Sequence, residues 1–255
     1  MILAIDMGNT NIVIGCIDDK KIYFVESMST DLSKTELEYA IGFKTVLELY
    51  KIDVRHIKGV IISSVVPPLV NIVKSAIEKF IDVTPLIIGS GIKTGLNILM
   101  DNPKTVGSDL VVDAVAGINE YGAPLIVMDF GTATTMSVID NNKNYIGTVI
   151  LPGVKISLEA LVSRTAQLPR ISMEAPKKII GKNSIDCMKS GVIYGNASCI
   201  DGMIERLEAE LGYKTTIIAT GGLAGVIVPH CNRKIIYDDK LLLKGLKIIY
   251  DKNIE

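Results

Sequence analysis

Twice in this chain an aspartate is followed two residues later by a glycine, and then by residues with hydroxyl or amide side chains. The first instance is Asp6-Met7-Gly8-Asn9-Thr10-Asn11; the second is Asp129-Phe130-Gly131-Thr132-Ala133-Thr134. Each follows one apolar run and precedes another, so each reads as strand, tight turn and returning strand. The glycine admits a turn where a Cβ would clash. Such a turn can present backbone N–H groups and threonine hydroxyls to an anion, and Asp129, at the end of a buried strand, can hold a cation. An aspartate also closes each returning strand, at Asp18 and Asp140. The copies lie about half a chain apart, which predicts a duplicated domain with one anion-holding hairpin from each half. A third candidate is the strand Thr216–Thr220 running into Gly221-Gly222 with a helix from Leu223, an arrangement that often meets a nucleotide. The fourth is Val106-Gly107-Ser108-Asp109, just ahead of a helix that Ser108 or Asp109 can cap.

The elements that must position these residues are legible from hydrophobic periodicity. Strands are predicted over residues 2–7, 11–17 and 21–28, then an amphipathic helix over 35–50 with Ser33 as N-cap and Glu36 three residues on. A continuous apolar run at 59–66 predicts a buried strand with parallel neighbours. Pro67-Pro68 opens a helix to Phe80, a short strand covers 86–88, and 89–106 is loop-rich before a helix over 110–121. The second half repeats the opening, with strands at 125–129, 133–140 and 144–151, and a helix at 156–163. An irregular stretch follows, then a long helix over 184–211 carrying Gly191, Gly195 and Gly202. A strand at 216–220 and a helix over 241–250 complete the pattern. The expected class is α/β, in two similar halves divided as residues 1–122 and 123–255. Glycines inside the long helix lower its stability, so they are expected to admit another helix or a ligand, and a dimer interface suits them.

Composition narrows the function classes. The chain has 255 residues, 48% hydrophobic and 22% charged, with a formal net charge of -1. That is enough material for two domains with aliphatic cores. No basic block is present, which argues against a nucleic-acid partner. Four cysteines without a C-x-x-C pair, and two histidines, are poor material for zinc. The first residues enter a strand ending in Asp6 rather than a signal peptide. No apolar run is long enough to span a bilayer. A cytoplasmic protein with no membrane partner is expected.

Taken together, the two hairpins and the late glycine pair resemble the superfamily of acetate kinase, sugar kinases, heat-shock chaperone ATPases and actin, whose members clamp ATP between two ribonuclease-H-like halves. Within it the chain is similar to the type III pantothenate kinases, enzymes of coenzyme A biosynthesis. The stretches that carry the likeness are D-M-G-N-T-N at Asp6–Asn11, I-S-S-V-V-P at Ile62–Pro67 and N-P-K-T-V-G-S-D at Asn102–Asp109. They continue with D-F-G-T-A-T-T at Asp129–Thr135, L-P-G at Leu151–Gly153, T-A-Q-L-P at Thr165–Pro169, I-G-K-N-S at Ile180–Ser184, M-K-S-G at Met188–Gly191 and A-T-G-G-L-A at Ala219–Ala224. The resemblance implies a homodimeric kinase that uses ATP, Mg2+ and a monovalent cation, K+ or NH4+, to phosphorylate pantothenate. It implies that Asp6 holds magnesium, that Gly8, Asn9, Thr10 and Asn11 with Gly131, Thr132 and Thr134 line the phosphate loops, and that Asp129 binds the monovalent cation. Gly221 and Gly222 would lie near the adenosine. Asp109 would accept the proton of the pantothenate hydroxyl, with Gly107, Ser108, Leu110, Met100 and Ser184 around the acceptor.

The chain departs from the family pattern at four places. Leu110 stands where many members have an arginine that binds the pantothenate carboxylate, Met100 where a tyrosine is frequent, Ser184 for a threonine and Thr148 for a glycine. Losing the arginine removes a bidentate carboxylate partner; Lys104, Arg164 and Arg170 are alternative cations. The departures leave room for a different small acceptor. A non-catalytic nucleotide-binding regulator is a third reading, against which stand Asp6, Asp109 and Asp129, all present.

Overall fold

Every residue of the first strand, β1 (Ile2–Met7), is buried, as a strand covered on both faces requires. The computed structural model, which describes residues 1–254, continues with β2 (Asn11–Ile17), β3 (Ile22–Ser29), α1 (Glu36–Leu49), β4 (Gly59–Ser64), α2 (Pro67–Glu78), β5 (Leu86–Ile87), β6 (Asn97–Ile98) and α3 (Ser108–Tyr121). Then come β7 (Leu125–Phe130), β8 (Ala133–Ile139), β9 (Asn144–Pro152), α4 (Val154–Ser163), α5 (Ser184–Leu211), β10 (Thr216–Thr220), α6 (Ala224–Ile227), β11 (Ile236–Tyr237) and α7 (Leu241–Ile254). No helix among the described residues is long and apolar enough to cross a membrane.

The two sheets repeat one plan. The first has the order β3-β2-β1-β4-β5, and the second contains β9-β8-β7-β10-β11, with β6 added at the β9 edge. In each, the first three strands form an antiparallel meander and the next two run parallel to its opening strand. The repeat extends to the turns. Asp18 Oδ1 accepts from the Lys20 and Lys21 N–H groups at 2.8 and 3.0 Å. Asp140 Oδ1 accepts from those of Asn142 and Asn144 at 2.9 and 2.8 Å. These Asx turns explain why an aspartate closes each returning strand.

The chain forms two compact units, residues 1–96, 101–119 and 240–255 in one, and 97–100 and 120–239 in the other. This differs from a single cut after residue 122 because α7 belongs with the first unit. Its Leu243, Leu246 and Ile249 are buried with Ile2, Ala4 and Ile61 of the sheet and Val112 of α3. The opposite face of that sheet, through Leu3, Ile5 and Met7, packs on Tyr39, Phe43 and Leu47 of α1 and Leu69 and Val73 of α2. Each such side chain, fully buried, contributes about 1.5–3 kcal/mol. In the second unit, Ile126, Met128 and Phe130 pack with α4 and α5 residues such as Leu158, Ile193 and Ile200.

Several element boundaries differ from the sequence expectation by a few residues, and two of the differences bear on the argument. Helix α1 is capped by Thr35, in a capping box with Glu38, rather than by Ser33. Ser33 is held in another local turn, its N–H and hydroxyl both bonded to Asp31 Oδ1. The helix expected from Leu223 is the four-residue α6, followed by a 3-10 turn at Val228–His230.

Candidate active site

Alternation along β1 puts Asp6 on the same face as Ile2 and Ala4, the face on which α3 and α7 pack. Asp6 is 8% exposed and pairs in register with Ser63 of β4. The turn after it is closed by the Gly8 N–H bonding to Asn11 O at 3.0 Å. Thr30 supports it from β3's end, its hydroxyl donating to Gly8 O at 2.6 Å and its N–H to Thr10 O at 2.9 Å. Asn9, Thr10 and Asn11 form the exposed tip. The second hairpin is one residue tighter, with the Gly131 N–H bonded to Ala133 O at 3.1 Å and Thr132 exposed at its tip. In both turns the glycine N–H is thus used inside the hairpin, so a ligand meets the tip residues.

Asp129 lies where Asp6 lies in the first sheet. Its register partners are Thr135 on β8 and Thr220 on β10, and such pairs share a face. A carboxylate is therefore flanked across three strands by two hydroxyl-bearing residues. Thr134 instead pairs with Phe130 and takes the other face. The sequence reading placed Thr134 in the phosphate loop and gave Thr135 no role of its own; the two-residue period of a strand puts them on opposite faces. Both hydroxyls are buried without a hydrogen-bond partner in the chain. Glycines close the cradle. Gly221 has φ +90°, and a Cβ on it would sit 2.3 Å from Asp129 Oδ1 and 2.6 Å from the Phe130 nitrogen. Gly222 has nothing within 4 Å of the same position. Behind the second turn, a Cβ on Gly153 would fall 2.1 Å from Thr132 O and 2.8 Å from Gly131 O, so the L-P-G stretch backs directly onto the loop.

Helix α3 starts at Ser108, and Gly107 supplies the carbonyl that accepts from the Val111 N–H at 3.2 Å. Asp109 is in the first turn, its Oδ1 accepting from the Leu110 N–H at 2.8 Å. A Cβ on Gly107 would lie 2.4 Å from that oxygen, so a larger residue there would push the carboxylate aside. Burial pushes the Asp109 carboxyl pKa upward, against hydrogen bonds from the Leu110 and Asp109 backbone that lower it. A carboxylate so shielded is a stronger proton acceptor than a solvated one. The Ser108 hydroxyl bonds to β4. Leu110 is 8% exposed, while Lys104 is exposed and Met100 half-buried.

Ser184 begins α5, after an Asn183 cap whose side chain accepts from the Asp186 N–H at 2.9 Å. It lines a cavity of about 810 Å3 with Leu158, Leu161, Lys182, Met188 and Asn196 among the other walls. Lys182 is the one cation among the described lining residues; Arg164 and Arg170 are exposed and not part of it. Gly191, Gly195 and Gly202 have nothing within 4 Å of a notional Cβ, so their side of α5 is open within the chain. Among the described residues no three His, Cys, Asp or Glu side chains cluster as a metal site; each hairpin offers a single carboxylate.

Residues 2–206 match the family profile described as type III pantothenate kinase. A type III pantothenate kinase of Bacillus cytotoxicus is 47% identical over 253 residues, covering 99% of this chain and 97% of the relative. One of Halalkalibacterium halodurans is 47% identical over 254 residues, covering all of both chains. A crystal structure from Sinorhizobium meliloti, described as a candidate 2-dehydro-3-deoxygalactonokinase, superimposes with a TM-score of 0.61 at 10% identity, over 99% of this chain and 96% of that one. The last likeness shows the fold alone, the duplicated actin-like fold; the first three make this chain a member of the type III pantothenate kinase family.

Proposed function

We propose that the chain transfers the γ-phosphoryl group of ATP to the hydroxyl of pantothenate, giving 4'-phosphopantothenate, the first step of coenzyme A biosynthesis, and that Asp109 accepts the hydroxyl proton. The observation that carries the reading is the repeated sheet plan, which sets an Asp-x-Gly turn at the same place in both units. Phosphoryl transfer is mainly positioning and charge stabilisation, and the tips at Asn9, Thr10 and Thr132 are suited to phosphate oxygens. Asp109 fits the base because its shielded carboxyl has a raised pKa, which brings it nearer the working range of a general base.

Asp6 offers one hard oxygen ligand, as a magnesium ion bound mostly through water and phosphate requires. Asp129 with the Thr135 hydroxyl beside it suits a monovalent cation, since the hydroxyl is buried without a partner in the chain. Bound there, the cations would neutralise charge on the transferring phosphoryl group. Leu110 cannot meet the acceptor's carboxylate. The open glycine side of α5 is the surface we assign to a homodimer.

The test is ADP release from ATP with Mg2+ and K+, with and without pantothenate. Pantothenate-dependent release, with a product heavier by one phosphoryl group, is the expected result. ATP binding without pantothenate-dependent release would refute the assignment of the acceptor.

A further inference from the structure

We propose that Ser108 is a positioning residue for Asp109, holding the start of α3 against the end of β4 through a hydroxyl clasp completed by Ser63. The inference rests on the reading of Asp109 as proton acceptor and extends it to residues that touch neither substrate.

A serine hydroxyl has one hydrogen to give and two lone pairs to fill. The Ser108 hydrogen goes to Ser64 O at 2.9 Å. One lone pair accepts from the Ser64 N–H at 3.0 Å. The remaining contact, to the Ser63 hydroxyl at 2.9 Å, must then have Ser63 as donor. Ser108 has no hydrogen-bonding capacity left for a ligand, although the sequence reading placed it beside the acceptor. Ser63 is 0% exposed, and a buried hydroxyl is costly to leave unpaired. Ser63 is also the register partner of Asp6, and the Val65 N–H bonds to Met7 O at 3.0 Å. The end of β4 thereby ties the strand that carries Asp6 to the helix turn that carries Asp109. Asp109 follows Ser108 directly, so any drift of Ser108 moves the carboxylate. A misplacement of about 1 Å can cost about a hundredfold in rate.

The experiment uses the full chain and four variants: Ser108→Ala, Ser108→Thr, Asp109→Asn and the Ser108→Ala/Asp109→Asn double. Ser108→Ala is expected to lower kcat by about 10- to 100-fold, with KM for ATP and pantothenate within about twofold of wild type. Ser108→Thr, which keeps the hydroxyl, restores most of the loss. In the Asp109→Asn background the serine substitution costs nothing further, since its effect acts through the carboxylate. Should Ser108→Ala fail to fold, Ser63→Ala, which removes one of the three bonds, carries the same test with a smaller fall in kcat. A raised KM for pantothenate at unchanged kcat would overturn the proposal, as would failure of threonine to restore activity. An equal loss with and without Asp109 would also overturn it while leaving Asp109 as base. Full activity of Asp109→Asn would instead remove the base, and the clasp's role with it.

Discussion

Two adjacent glycines in one turn should respond very unequally to the same substitution. The added methyl of Gly221→Ala must occupy a point 2.3 Å from Asp129 Oδ1, 2.6 Å from the Phe130 nitrogen and 2.8 Å from its carbonyl carbon. Two of those atoms are backbone in a central strand, so no side-chain rotation relieves the overlap. The residue also holds φ +90°, a region that costs an L-residue about 1–2 kcal/mol. Overpacking adds about 1–3 kcal/mol. The expected destabilisation is roughly 2–5 kcal/mol, a fall in Tm of roughly 5–15 °C for a protein of this size. Gly222→Ala meets nothing within 4 Å and has no positive φ, so its Tm should stay within about 2 °C of wild type. Because the intruding methyl is aimed at Asp129, Gly221→Ala should also blunt the K+ stimulation that follows from the cation site we propose there, which Gly222→Ala should preserve. Thermal unfolding of the two purified variants, followed by a K+ titration of ADP release, decides it. Equal losses of Tm, or a Gly221→Ala protein as stable as wild type, would refute the close-packing argument.

Asp109→Asn should lose about 10²–10⁴-fold in kcat while unfolding no earlier than wild type. The folded-state pKa of this carboxyl is raised, so its ionisation costs folding stability above the unfolded-state pKa; a neutral amide removes that cost and can still accept from the Leu110 N–H, which paired kcat and Tm measurements at pH 7 would check. Gly153→Ala should raise KM for ATP about tenfold or more, because its Cβ displaces the carbonyls of Gly131 and Thr132 and with them the loop; steady-state kinetics over an ATP series reads this. Glu208 has the opposite sign to Asp109. Burial opposes its ionisation, but Lys214, the Thr215 N–H and Arg233 outweigh it and hold the pKa down at about 2. Its contribution of about 1–3 kcal/mol is therefore fully present above pH 4.5 and lost as pH falls toward 2. Urea titrations across that window should show wild type weakening more steeply than Glu208→Gln.

Much of the fold was legible because β1 to β3 and β7 to β9 have the length and apolar content that make a strand visible. The cap of α1 was placed two residues early because Ser33-x-x-Glu36 and Thr35-x-x-Glu38 satisfy the same pattern. Only the competition for Ser33 by Asp31 separates them. β6 and β11 have two residues each, too few for any period to register. At the site, the aspartates and turn glycines announced themselves by repetition. The clasp did not, since Ser63 and Ser108 are 45 residues apart and nothing local in either stretch refers to the other. Which of the adjacent hydroxyls Thr134 and Thr135 shares a face with Asp129 depends on the hairpin register, set by a turn one residue shorter than its counterpart.

The placement of α7 bears on how the protein is made. Its Leu243, Leu246 and Ile249 help to bury Ile2, Ala4 and Ile61, so β1, once synthesised, waits for a helix more than two hundred residues further along before that face is covered. At about 5–20 residues per second, the interval is on the order of ten seconds or more, during which aliphatic side chains of the opening sheet lie bare. The second unit, continuous from residue 120 to 239 apart from the short β6 segment, needs no such wait. Nascent chains of this protein should therefore acquire protease resistance over residues 120–239 before residues 1–96.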